Sequence, residues 1–477
     1  MKSYIYNKVE KVLKGLVPLM LLALVPSLTA CSDDEDSQST TMTINKIYLE
    51  TTDAEDENYD REVDFARLGQ TLRIEGSGFT GLKKIYVNGY ETYFNNALMT
   101  DNNVWVTLNA ATPIDKADAD VRNTIVFYKN DNNKLVYEFT IRAAAPAVTS
   151  VDNTLPKAGE TVTVYGANLQ ETTKITLPDG TEITDGIRND ADGKWYSFTV
   201  PSSADLTKSG SITSEGANGT AKSPTYFNDF GNFITDFDGN GELGSWSATY
   251  GTDDLVDDPL NTGRGKVALL APQSLLDAGG LDAGGNGKYW ATAGNDNAND
   301  DWSRMYTTIP AETSASDLAI QFDIYCPEPW DLTGQLEISL QNNLNGYGWG
   351  SAPTKYSAEY TNTATVWVPW LNTEDGSHTA WSTGERWQTI TIPMTAFGNY
   401  DPEKAPDVTF QKIVEDRNGG SYRNFVLFLA NSDLEFSDDI KYKASTFNLK
   451  IYVDNFRVVS TKSITVKDFN DDETATE

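Results

Sequence analysis

Cysteine is nearly absent from this chain of 477 residues, which holds only Cys31 and Cys326. If Cys31 is used elsewhere, Cys326 has no partner within the chain and the domains must stand on packing alone. Histidine is scarcer still. A single one, His378, excludes His-rich zinc sites and argues against a Ser-His-Asp triad. Positive charge is also short: 37 Lys and Arg face 69 Asp and Glu, a net charge of −32. Such a chain repels nucleic acid, whose binding rests on neutralising phosphates. It is repelled by an anionic membrane surface as well. With so many acids, a carboxylate pair can be drawn almost anywhere, so such pairs are no evidence of glycosidase chemistry. No window reads as a convincing amphipathic helix of useful length. An acidic, polar surface suits a neutral, hydroxyl-rich ligand.

The first thirty residues carry a different signal. Lys2, Lys8, Lys11 and Lys14 precede an apolar run over 16–25. That run is too short to span a bilayer of roughly 30 Å, which needs about 20 residues. Leu28-Thr29-Ala30-Cys31 follows, then the acidic Ser32-Asp33-Asp34-Glu35-Asp36. A basic start, a short apolar stretch and a small-residue cut site make a secretory signal. The cysteine at the cut resembles a bacterial lipobox, and the acidic run resembles the export signal of Bacteroidota surface lipoproteins. The resemblance implies cleavage before Cys31, acylation of its thiol and an outward-facing anchor in the outer membrane. The alternative is a soluble secreted chain cut near Ala30.

Residues 1–30 thus read as the signal and 31–42 as an acidic, flexible tether. The mature chain has room for two to four domains at about 100–200 residues each. Strand patterns follow with little interruption, with Gly, Asn, Asp or Pro at the breaks. An internal repeat is visible. The segment 69–79, GQTLRIEGSGF, returns 90 positions later as 159–169, GETVTVYGANL. Each copy reads as a strand with Leu72 and Ile74, or Val162 and Val164, facing inward. A turn follows in which Gly78 or Asn168 supplies positive φ. Asn88-Gly89 and Asp179-Gly180 then read as hairpin turns. The pattern resembles the IPT/TIG immunoglobulin-like module, present twice, over 43–144 and 145–228.

Composition changes beyond that point, and nine of the eleven tryptophans lie after residue 229. Strands are expected at 318–325, 335–341, 363–368, 388–393, 424–430 and 448–459. Leu336, Ile338 and Leu340 alternate with Glu337 and Ser339, and Leu449, Ile451 and Val453 with Lys450, Tyr452 and Asp454. That predicts one buried and one wet face, as in a β-sandwich. The ending 451–458, IYVDNFRV, resembles the last strand of jelly-roll carbohydrate-binding modules. The expected fold is all-β: two immunoglobulin-like sandwiches, then a larger jelly-roll-like β-sandwich over 229–477, with a split near residue 315 as the alternative.

Within this region the aromatic residues cluster at Trp330, Tyr347, Trp349, Trp367, Trp370, Trp381 and Trp387. An indole laid against a pyranose face removes apolar area from water. About 100 Å² buried contributes roughly 2–3 kcal/mol. Two or three such platforms with a few hydrogen bonds reach micromolar affinity. Trp370 lies beyond Pro369, which ends a strand, and Trp330 sits in a turn, so both are expected to face a cleft or solvent. Trp367, Trp349 and Tyr347 are the further candidates, with Asn342, Asn343, Asn345 and Glu328 nearby in sequence. Trp387 reads as core. Trp246, Trp290 and Trp302 are secondary extensions of the platform. The run 236–242, DFDGNGE, has part of an EF-hand's oxygen spacing. It lacks the downstream Glu, since position 247 is Ser. An Asp-Gly turn and a structural calcium loop both remain open there.

Taken together, the chain resembles the surface glycan-binding proteins of Bacteroidota polysaccharide-utilisation loci, of the second type with a xyloglucan-binding C-terminal domain. That resemblance implies a non-catalytic lipoprotein without cofactor or metal, whose aromatic residues Trp330, Trp370 and Trp367 hold a polysaccharide. It also implies two partners: an outer-membrane transporter and its companion binding lipoprotein. The rival readings are a jelly-roll glycoside hydrolase and an adhesin that binds protein.

Overall fold

The computed structural model describes residues 41–50, 60–114, 116–244, 250–270, 287–293, 300–341, 363–420, 423–431 and 433–466. Cys31, Tyr347, Trp349, Trp246, Asn342, Asn343 and Asn345 lie outside them.

The repeat in sequence is a repeat in structure. In the first module one sheet pairs Thr43–Glu50, Thr71–Ser77 and Asn103–Thr107, and the other pairs Tyr90–Thr92, Leu82–Val87, Thr124–Lys129 and Lys134–Glu138. In the second, Ala147–Val151, Thr161–Ala167 and Trp195–Thr199 face Glu182–Ile183, Thr172–Thr176, Thr213–Gly216 and Gly219–Lys222. Leu72, Ile74, Val162 and Val164 are buried in their respective cores, as the alternation required. Gly78 and Asn168 both have positive φ, and Asn88-Gly89 turns with φ of 48° and 80°. The equivalent glycines serve one purpose. A Cβ on Gly76 would lie 1.9 Å from the Thr43 carbonyl oxygen, and one on Gly166 would lie 1.9 Å from that of Ala147. Only glycine lets the paired strand approach so closely.

The C-terminal region packs two antiparallel sheets. One orders Val256–Asp257, Lys266–Leu269, Tyr452–Ser460, Leu318–Tyr325 and Gln388–Pro393, with Phe233–Thr235 also on Tyr452–Ser460. The other orders Gly287–Ala291, Val426–Ala430, Gln335–Ser339 and Ala364–Trp367. A single hydrophobic cluster between them runs from Ile234 to Val458, so the core does not divide near residue 315. The expectation of one wet face holds over 449–453, where exposed Lys450 and part-exposed Tyr452 alternate with buried Leu449, Ile451 and Val453, and fails elsewhere. Glu337 is 2% exposed, and Ser339 and Asp454 are fully buried. Val426, Phe428, Ala430 and Ala291 form a second buried apolar cluster, and Phe428 pairs with Glu337 across the strands. These strands are covered on both sides, which period-two alternation alone does not reveal.

Among the described residues an α-helix, Phe410–Gly419, stands where the sequence reading expects none. Thr409 caps it by accepting from the Lys412 N–H, and Phe410, Ile413, Val414 and Arg417 supply a buried stripe at spacings of three and four. Its ten residues were too few for the periodicity to stand out.

The second module and the C-terminal sandwich share buried contacts. Ala319 and Val459 of the sandwich belong to the second module's hydrophobic cluster. The Thr154 N–H donates to Thr389 Oγ1 at 2.9 Å, Arg457 Nη2 to Thr154 Oγ1 at 2.5 Å, and Arg386 Nη1 to Asp152 Oδ2 at 2.8 Å. Beneath them Asp323 accepts from Arg264 Nη1 at 2.9 Å and from Thr389 Oγ1 at 2.8 Å. Arg264 also donates to the Leu155 carbonyl. Burial pushes the Asp454 carboxyl well above its usual range, with the negative charge of Asp323 adding to it.

Candidate functional site

The expected aromatic cluster exists, but two of its members are closed. Trp330 is fully buried and Trp370 is 2% exposed. The expectation that these rings face a cleft is corrected for both. Trp330 lies in the turn that was read from sequence. Its main chain nevertheless pairs both ways with Trp381, N to O at 2.7 Å and 2.9 Å. Its Nε1 donates to the Thr333 carbonyl at 2.6 Å, so the ring folds under the turn. The strand ends at Trp367, ahead of Pro369, and the chain turns back at Pro369-Trp370. The Leu371 N–H reaches Val368 O, and Thr379 N–H reaches Trp370 O at 2.8 Å. The Trp370 ring then tucks edge-on against Tyr442, centroids 5.2 Å apart. Trp290 and Trp302 are buried as well, and so is Trp387, as expected of a core residue.

Among the described indoles of the C-terminal region, Trp367 and Trp381 keep exposed surface. Trp367 ends its strand in register with core-facing Leu336, at the sheet edge. Its ring stands perpendicular to Trp330 (6.0 Å, 90°), Phe322 (6.0 Å, 84°) and Trp381 (5.2 Å, 85°). The buried rings thus form a floor that fixes the two half-buried ones, and edge-to-face contacts of this kind contribute about 0.5–1.5 kcal/mol each beyond area. Trp381 was visible in the sequence but not selected. Nothing in its polar surroundings, 372–386, marks it, and only the main-chain pairing with Trp330 brings it to the cluster.

Polar groups lie on the turn after Trp330 and on the segment that leads to Trp381. Asp331 Oδ1 lies 3.0 Å from His378 Nδ1, both side chains part-exposed. Tyr442 donates to the Gly376 carbonyl at 2.6 Å, and its ring meets that of His378 edge-on at 5.5 Å. Asp375 Oδ1 accepts from the Ser377 N–H and hydroxyl, which holds its carboxyl below the usual range. Leu332, next to Asp331 in the turn, is exposed with φ of 58°, an uncommon conformation for a bulky residue. Two indole surfaces, with carboxylates and an imidazole on adjoining segments, can take a hydroxyl-rich ligand through apolar contact and hydrogen bonds.

Other candidate chemistry is weaker. Asp236 Oδ1 accepts the N–H groups of Asp238, Gly239 and Asn240, so the calcium-like run is a turn that uses its own carboxylate. Among the described residues no group of three or more His, Cys, Asp or Glu is arranged to hold a metal. Cys326 is buried, and burial pushes its thiol up to about 12, which leaves it unreactive near neutral pH. Glu337 is buried without a partner for Oε1, and its carboxyl is pushed well above the usual range by desolvation.

Comparison with known proteins places this geometry. Residues 227–460 match the model of the surface glycan-binding protein B xyloglucan binding domain. The chain superposes on the surface glycan-binding protein PbSGBP-B of Prevotella bryantii with a TM-score of 0.62 and 18% identity, covering 89% of this chain and 100% of that one. A second structure, an SGBP-B from a complex xyloglucan utilization locus in Bacteroides uniformis, gives a TM-score of 0.45 and 16% identity over 88% of this chain and 100% of that one. An IPT/TIG domain-containing protein of Bacteroides ovatus is 24% identical over 226 residues, which is 45% of this chain. The match spans only 44% of that relative's length.

Proposed function

Since the chain belongs to the surface glycan-binding proteins, through its xyloglucan-binding domain at residues 227–460, we propose that it captures a plant β-glucan, xyloglucan foremost, on the rim formed by Trp367 and Trp381. It is a binding protein, not an enzyme. The observation that carries the choice of site is the perpendicular pair of half-buried indoles over a floor of buried rings. Trp330 and Trp370 act from beneath, as the packing that fixes the platform and its loop. Tyr347 and Trp349 stay in the proposal on sequence grounds.

The chain sits at the cell surface, as its family implies. In this reading Cys31 carries the lipid that holds it in the outer membrane. The two IPT/TIG modules space the sandwich from the membrane, and the captured polysaccharide passes to an outer-membrane transporter and its companion binding lipoprotein. The sequence of the leader and the acidic run behind Cys31 support that part. Affinity electrophoresis on xyloglucan, mixed-linkage β-glucan and mannan tests the ligand. Strong retardation on xyloglucan is expected, and equal mobility in all gels and in a blank gel contradicts the proposal. Palmitate labelling of wild type and Cys31→Ser tests the anchor, since only the wild type should take up label.

A further inference from the structure

One sheet of the first module ends on an open strand. Lys134–Glu138, KLVYE, pairs with Thr124–Lys129 on one side and is the last strand of its sheet. The ladder shows which main-chain groups it leaves over. Asn133 O accepts from the Lys129 N–H at 2.9 Å, and the Phe139 N–H donates to Asn123 O at 2.9 Å. Odd-numbered residues of the strand therefore point their N–H and C=O groups into the sheet, and those of Lys134, Val136 and Glu138 point away from it. Among the described residues none bonds to these outward groups. By contrast, Phe94 bridges to Val106 outside the Asn103–Thr107 edge, and the Gln388–Pro393 edge gives the Thr389 N–H to Asp152 O.

We propose that this edge pairs with the same edge of a second copy of the chain, antiparallel and centred on Val136, in a weak two-fold dimer. Self-complementarity carries the proposal. In that register Val136 meets Val136 of the partner subunit, and Lys134 meets Glu138 of the partner subunit at both ends. Leu135 meets Tyr137 of the partner subunit on the opposite face. The pairs 134–138, 136–136 and 138–134 join residues whose main-chain groups already point outward. Each pair exchanges two hydrogen bonds, and no outward group is left over. A slip of one residue sets outward-pointing residues against inward-pointing ones. A slip of two parts Lys134 from Glu138 of the partner subunit.

A single copy leaves these charges unused. Lys134 and Glu138 are both exposed, and neither forms a salt bridge among the described residues. The Lys134 ammonium instead lies 5.6 Å from the centre of the Tyr128 ring. Between them Val136 is 51% exposed, an apolar residue at the centre of an edge, where a charge would discourage pairing. Leu135 and Tyr137 pack against the module's core, which holds the strand in place. A five-residue pairing buries less than the roughly 1,200 Å² of a stable complex, so the dimer is weak, with a Kd on the order of 10⁻⁴ M. The proposal goes beyond the glycan reading and does not depend on it. Where both hold, one long polysaccharide can engage two sandwiches at once.

Analytical ultracentrifugation of the full mature chain, carried to about 1 mM, tests the pairing. Physiological salt screens the repulsion between two acidic chains. Wild type should shift from monomer to dimer across that range. Val136→Pro removes an outward N–H while leaving the inward ladder intact, and should stay monomeric. Lys134→Glu and Glu138→Lys each set like charges opposite one another and should weaken dimerisation roughly ten-fold. An equal mixture of those two variants restores opposite charges in the mixed pair and should dimerise like wild type. The double variant Lys134→Glu/Glu138→Lys should do the same. Thermal melts show that each variant remains folded. A wild type that stays monomeric, a folded Val136→Pro that dimerises like wild type, or a mixture that associates no better than its components overturns the proposal.

Discussion

Replacing Glu337 by methionine should stabilise the C-terminal sandwich. The carboxyl is 2% exposed, Oε1 has no hydrogen-bond partner, and its in-register neighbours across the sheet are Phe428 and Val366. A buried polar group left unpaired costs about 1–3 kcal/mol, and a straight apolar chain of similar volume removes that cost with little repacking. For a domain of this size the gain corresponds to a rise in melting midpoint of roughly 2–10 °C. The pH dependence is the sharper readout. Desolvation raises the folded-state pKa above the ordinary value of 4.5, so the fold favours the neutral acid. Its contribution is therefore fully present below about 4.5 and is lost as pH rises from there toward the folded pKa. Wild type should weaken relative to Glu337→Met across that window, at up to about 1.4 kcal/mol per pH unit. Asp454, also raised, is common to both proteins and cancels. Tryptophan fluorescence reports mainly on this domain, which holds nine of the eleven indoles. Urea midpoints measured from pH 4 to pH 8 would refute the reasoning if the variant were less stable at neutral pH, or if its advantage were independent of pH.

Arg264→Met should destabilise the joint between the second module and the sandwich by about 3–5 kcal/mol, because Asp323 keeps its burial but loses its closest cation. Chemical denaturation of the mature chain checks this, and an unchanged midpoint would contradict it. Gly166→Ala should loosen the second module by about 1–3 kcal/mol or more, since the new methyl meets the Ala147 carbonyl at 1.9 Å. Amide exchange should then rise in Ala147–Val151 before it rises in the sandwich.

The repeated strands Thr71–Ser77 and Thr161–Ala167 were legible because buried and more open residues alternate along them, so alternation and turn chemistry agreed. Leu318–Tyr325 and Gln388–Pro393 were bounded as they stand, since β-branched and aromatic residues fill them between clear breaks. The face of Gln335–Ser339 was misread for a definite reason. Glu and Ser at alternate positions signal solvent, and only tertiary cover makes them buried. The site was half legible. Trp367 lay at a strand end that sequence could locate. Trp370 and Trp330 lay at real chain reversals, but a reversal says where a strand stops and not which way the ring then folds. Trp381 depended on a main-chain pairing across fifty residues of chain, which no local pattern encodes.

The central claim is that Trp367 and Trp381 form the surface on which the polysaccharide lies. Calorimetric titration of xyloglucan oligosaccharide into wild type, Trp367→Ala, Trp381→Ala and the double variant measures it most directly, with melts to show that each remains folded. At roughly 2–3 kcal/mol for each ring that covers a sugar face, either single change should weaken binding about 30- to 150-fold and the double change should abolish it. A folded double variant that binds with wild-type affinity would contradict the account.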